Sequence, residues 1–102
     1  RHEVKCTLED VVREGTRVLK PGGRFFMVHR PRRLIEIITV MKRHGLEPKR
    51  MKMVHPYADR EANMVLIEAV RGGGPLLKME APVIVFDQNG EYSPEIRTTY
   101  GY

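Results

Sequence analysis

Tryptophan is absent and cysteine occurs once, at Cys6. A single thiol excludes an internal disulfide, so a reducing compartment, the cytoplasm, is the expected setting. Cys6 itself reads as a small, buried or half-buried apolar residue. A nucleophilic role is not expected of it, because only His2 lies near it. No apolar run approaches the roughly 20 residues that span a bilayer, and the first residues lack the apolar core of a secretory signal. Internal repeats and low-complexity segments are missing. His2, His29, His44 and His55 do not have the cysteine or carboxylate spacing of a zinc site, so no metal is expected. Glu3 and Glu68 have no second carboxylate at a readable spacing, which leaves no acid–base pair.

The chain does have an excess of positive charge. Its 102 residues carry 18 Lys and Arg against 13 Asp and Glu, for a net charge of +5 and a pI near 9.7. That balance suits a polyanionic partner such as nucleic acid, although many basic domains bind none. Hydrophobic residues make up 41% and charged residues 30%, which is ordinary for a globular protein. One small domain with a modest core is the prior for this length.

The stretch from Thr7 to Arg33 organises the rest. Thr7 reads as a helix N-cap and Asp10 as its return partner in a capping box. Leu8, Val11, Val12, Gly15, Val18 and Leu19 follow the spacing of one buried helix face. Glu9 and Asp10 in the first turn, and Arg17 and Lys20 in the last, suit the helix dipole. Pro21-Gly22-Gly23 ends the helix. Phe25 to Val28 then forms a short strand whose apolar residues on both sides of the pleat predict cover on both faces. Pro31 opens a second helix. Leu34, Ile37, Ile38 and Met41 mark its buried face, Ile35 and Val40 widen it, and Gly45 ends it.

Glu47 to His55 predicts a half-buried strand near a sheet edge, with Met51 and Met53 on one side and Arg50, Lys52 and Val54 on the other. Pro56 to Glu61 is a loop. Met64 to Val70 is an apolar strand interrupted only by Glu68, expected to pair antiparallel with the preceding one. Gly72-Gly73-Gly74-Pro75 breaks the chain there. Residues 76–102 read as a separate C-terminal hairpin and tail, with Asn89-Gly90 turning between Val83–Phe86 and Glu91-Tyr92. Pro94 to Tyr100 is either a last helical turn or loose.

Two clusters are candidate contacts for a polyanion. At the end of the first strand, His29, Arg30, Arg32 and Arg33 stand where α/β sheets place ligands. Arg32 and Arg33 occupy the wrong end of a helix for positive charge, which a bound anion would reverse. The ordinary explanation is that they are solvated or paired with Glu36 or another acid. For His29 the ordinary role is a bond to backbone. Lys49, Arg50 and Lys52 form a basic run, where RNA contact competes with simple protection of a sheet edge.

The motif Arg17-Val18-Leu19-Lys20-Pro21-Gly22-Gly23-Arg24-Phe25 resembles the helix–turn–strand signature late in class I S-adenosylmethionine-dependent methyltransferases. Arg1-His2-Glu3, Met27-Val28-His29-Arg30-Pro31, Val54-His55-Pro56-Tyr57 and Glu61-Ala62-Asn63-Met64-Val65-Leu66-Ile67-Glu68 are similar to segments of the branch that methylates an adenine amine in a valine tRNA. The resemblance implies an α/β fold: a partial Rossmann-like methyltransferase sheet in the order helix-strand-helix-strand-strand over residues 1–75, followed by a C-terminal β-hairpin.

It also implies that a parent enzyme would use S-adenosylmethionine on RNA. The family's glycine-rich cofactor loop and its Asn-Pro-Pro-Tyr-like catalytic segment do not occur in these residues, so no catalytic or cofactor role is carried over. On this reading the chain, which begins at Arg1 rather than Met, is the back part of a longer enzyme. The expected contribution of these residues is a basic rim that grips tRNA. A strand deprived of its neighbour is expected to self-associate through its open edge. The rival reading is a non-catalytic RNA-binding or protein-interaction module, favoured by the missing motifs.

Overall fold

The computed structural model describes residues 6–100; the Arg1-His2-Glu3 segment lies outside them. The capping box forms as expected. Thr7 Oγ1 accepts from the Asp10 amide and Asp10 Oδ2 accepts from the Thr7 amide, both at 3.1 Å, which starts helix α1 (Leu8–Arg17). Strand β1 (Arg24–His29) follows the Pro-Gly-Gly turn, where Gly22 takes φ +84°. Pro31–Arg33 is a 3-10 turn, and it runs into helix α2 (Leu34–Arg43). Gly45, at φ +80°, reverses the chain into β2 (Leu46–His55), and β3 (Met64–Arg71) returns.

Strand β3 lies antiparallel between β1 and β2, so β1 and β2 run in the same direction with α2 as their crossover. Both helices pack on one face of this sheet. Val12 of α1 and Ile37, Val40 and Met41 of α2 close over Leu46, Met51, Val65, Ile67 and Ala69 in one fully apolar core. Burial of these side chains supplies about 1.5–3 kcal/mol each for the larger ones. Gly15 lets α1 approach the sheet closely: a Cβ there would clash with the edge of the Phe25 ring, 2.8 Å from Cδ2.

Several expectations are corrected. The apolar run of β1 is covered on one face only; Phe26 and Val28 project to the other face and are 70% and 59% exposed. Sequence patterning missed this because the outer residues of β1 are as apolar as the inner ones. Val11 of α1, Val18 at its C-cap and Ile35 of α2 are exposed rather than part of the buried stripes, whereas Val40 is buried. Cys6 is exposed.

Strand β2 is interior to the sheet. The two-residue strands β4 (Lys78–Met79) and β5 (Val83–Ile84) pair in parallel along its outer side, so residues beyond Pro75 are bonded into the main sheet. A bulge between Pro48 and Arg50 lets β2 accommodate its proline. The Asn89-Gly90 turn is present, with Gly90 at φ +81°, but the hairpin it closes shrinks to a single antiparallel bridge, Phe86 to Tyr92. Pro94–Tyr100 is helical (α3).

Candidate functional site

Parallel strands β1 and β2 end at the same side of the sheet: His29 and Met53 both lie opposite Val65 of β3. Beyond these ends opens a cavity of about 690 Å³ whose walls include Arg30, Arg32, Met53, His55, Glu61 and Asn63. Chains leaving parallel strands diverge here, one into the Pro31–Arg33 turn and the other into the β2–β3 loop. A crevice at the carboxyl ends of strands is where open α/β sheets bind ligands.

The arginines of the junction have different fates. Arg33 grips Glu36 through two bonds, Nε to Oε1 at 3.0 Å and Nη2 to Oε2 at 2.5 Å. That hydrogen bond, before any longer-range attraction, raises the Arg33 pKa and lowers that of Glu36. Arg33 is therefore spent on its own helix. Arg30 and Arg32 both line the cavity and make no ion pair with any described residue. Glu61 is the one acid on the cavity wall among the described residues, against two arginines.

His29 stops short of the cavity wall. Its Nδ1 accepts from the Arg30 amide at 2.8 Å, so the ring caps the strand end. His55, to which sequence reasoning gave no role, does line the crevice. Its Nδ1–H donates to the Arg60 carbonyl at 2.7 Å, which orients the ring. The Asn63 amide donates to the Val54 carbonyl at 2.9 Å and closes the loop that carries Arg60. His55 and Asn63 stood in the sequence as parts of two separate segments. Only the parallel alignment of β1 with β2 brings them to Arg30 and Arg32.

The second basic cluster does not join this site. Lys49 is the bulge residue, and its Nζ donates to the carbonyls of Gly74 at 2.9 Å and Pro75 at 2.8 Å, tying down the glycine-rich bend. Arg50 bridges Glu68 at 3.3 Å and Glu80 at 2.9 Å. Lys52 lies beside it on the open sheet face, next to Phe26, Val28 and Leu66. Alternation along β2 explains the separation: Arg50 and Lys52 point away from the helices, and the strand-end crevice lies farther along.

The described residues contain no group of three or more His, Cys, Asp or Glu arranged to hold a metal, and none of their helices is long and apolar enough to cross a membrane. The only run of three glycines offers no anion cradle. The Gly72 amide is bonded to the Gly45 carbonyl at 2.9 Å and the Gly73 amide to that of Val70 at 3.2 Å. Those amides are thus unavailable to a nucleotide or carboxylate.

No protein-family model matches the chain, and no curated protein matches it. A solved structure does: a predicted O-methyltransferase from Agrobacterium tumefaciens superimposes with a TM-score of 0.82 at 22% identity, over 92% of this chain and 45% of the other. The chain has the fold of a methyltransferase sheet and spans just under half the length of that relative in structure.

Proposed function

We propose that this polypeptide is the carboxyl-side portion of an S-adenosylmethionine-dependent RNA methyltransferase whose acceptor is an adenine amine in tRNA, and that the strand-end crevice is its RNA contact. The observation that carries this reading is the placement of Arg30 and Arg32. Neither side chain makes an ion pair with a described residue, and both residues line the same cavity at the carboxyl ends of parallel strands.

Guanidinium groups are well matched to phosphate oxygens, which they bind in pairs of parallel N–H bonds. The net charge of +5 adds long-range attraction for a polyanion. The segments that resemble the tRNA adenine branch include His29-Arg30-Pro31 and Val54-His55-Pro56-Tyr57, and these are the segments that end at the crevice. The likeness to a predicted O-methyltransferase supports methyl transfer by the parent. These residues contribute grip and orientation of the nucleic acid, which lowers the barrier by fixing the acceptor's position. S-adenosylmethionine, held by other parts of the parent, would supply the methyl group.

The test is to supply the complete protein that carries this segment with methyl-labelled S-adenosylmethionine and unmodified tRNA. Label recovered on the exocyclic amine of adenine supports the reading. Label that goes only to hydroxyl groups of small molecules, with tRNA left blank, overturns it.

A further inference from the structure

Most acids among the described residues have a partner: Glu9 is held by Arg43, Glu36 by Arg33 and Glu80 by Arg50. Glu61 is different. It lines the strand-end crevice together with Arg30 and Arg32, yet its carboxylate bonds to neither. The loop around it is nevertheless fixed. On one side the Arg60 carbonyl accepts from His55 at 2.7 Å; on the other the Asn63 amide donates to the Val54 carbonyl at 2.9 Å. Bonds on both flanks thus hold Glu61 at the end of β2.

An unpaired carboxylate is out of place in a surface that only grips phosphate. It repels the polyanion that the arginines attract. Once ionised it can only accept hydrogen bonds, so it calls for a donor on the ligand. The crevice is also larger than two phosphate contacts require. Its volume of about 690 Å³ lies within the range of about 300–1,000 Å³ typical of small-ligand sites. Met53 and His55, both half-buried, give it apolar and ring surface, and Asn63 adds an amide that both donates and accepts.

We infer that the crevice is a nucleotide subsite in which Glu61 selects a base bearing an exocyclic amine, while Arg30 and Arg32 hold the adjoining phosphates. This rests on the RNA reading above and adds which kind of base the crevice accepts. The methyl acceptor itself belongs beside the donor, held by other parts of the parent, so this base is a neighbour in the strand. An ionised carboxylate accepts from the N4 amine of cytosine and repels the O4 carbonyl that uracil puts in the same place. Asn63 cannot make that distinction, because its amide serves either base by turning over.

The experiment uses the full chain at neutral pH and two fluorescein-labelled oligoribonucleotides of equal length, one all cytidine and one all uridine, read by anisotropy. The two bases share a ring and differ in the exchange of amine for carbonyl. The cytidine strand is expected to bind at least about fivefold more tightly, the low end of what one base contact discriminates. Glu61→Gln is expected to bring the ratio of the two affinities near one, because a carboxamide serves either base. Losing a negative charge should also strengthen binding of both strands, and the ratio separates selection from that general effect. Thermal melts check folding; Glu61 is exposed and bonds to no described residue, so little change is expected. Glu61→Ala repeats the comparison if Glu61→Gln melts.

Equal affinity for the two strands, a preference for uridine, or a cytidine preference that persists in the Glu61 variant overturns the subsite. If Arg30→Ala with Arg32→Ala still weakens binding of both strands, the RNA reading survives while the subsite falls. Failure of the unaltered chain to bind either strand removes both.

Discussion

Arg50 and Glu68 face each other in direct register across the β2–β3 ladder, with Arg50 Nη1 3.3 Å from Glu68 Oε2. Glu68 is buried among the apolar residues of β3, and Arg24 approaches its other oxygen at 3.5 Å. A carboxylate taken out of water needs such partners, because leaving it unpaired costs far more than the pair gains. Arg50→Ala is accordingly expected to lower the melting temperature while leaving tRNA affinity and its salt dependence unchanged. Parallel thermal melts and binding isotherms check this. A loss of affinity without a loss of stability would return Arg50 to the RNA interface.

Gly15 sets the distance between α1 and the sheet. A Cβ at that position would clash with the edge of the Phe25 ring, and Phe25 is packed against the core. Gly15→Ala is expected to destabilise the fold by about 1–3 kcal/mol, the usual cost of overpacking, despite alanine's better helix propensity. Urea unfolding measures the difference. Stabilisation instead would mean that Phe25 has room to retreat.

Glu9 ties the start of α1 to the end of α2. Its Oε1 accepts from Arg43 at 2.6 Å and its Oε2 from His44 Nε2 at 2.5 Å. The hydrogen bond with His44, ahead of the attraction of Arg43, holds the Glu9 carboxyl below its ordinary value of 4.5. A carboxyl depressed in the folded state stabilises fully above the unfolded value and loses that contribution as pH falls through the folded one. Glu9→Gln is thus expected to be less stable than the unaltered chain near neutrality. The two should converge as pH falls below the ordinary carboxylate value and through the depressed one. Urea midpoints across this range decide; a gap that persists in acid would assign the effect to packing.

The sequence made the local features legible and left the relational ones hidden. Thr7 and Asp10 announce the cap because its chemistry is complete within four residues. Arg33 and Glu36 are spaced for a helical pair, and they make one. Met51 against Arg50 and Lys52 shows the pleat of β2. Nothing local marks Phe26 and Val28 as outward-facing, since they are as apolar as the inward Phe25 and Met27. Strands of two residues such as Lys78–Met79 carry no periodicity at all. Arg32 and Arg33 are chemically alike and adjacent, so only a partner's position separates the spent guanidinium from the available one. The crevice with His55 and Asn63 exists only once the sheet has aligned distant segments.

The outer side of β1 pairs with no strand among the described residues, and it borders the exposed Phe26 and Val28. Unpaired apolar edges add strands from other molecules. We propose that the isolated 102-residue chain self-associates there. Sedimentation velocity is expected to give a dimer or larger species, dispersed by Phe26→Lys. A monomer at high concentration contradicts it.

Salt-dependent binding of the full chain to unmodified tRNA bears most directly on the assignment of the strand-end crevice to RNA. Replacing Arg30 and Arg32 together by alanine is expected to weaken binding and to flatten the plot of log affinity against log salt by about 1.5, the counterion release of two phosphate contacts. An identical slope and affinity in the unaltered and substituted chains would contradict the assignment.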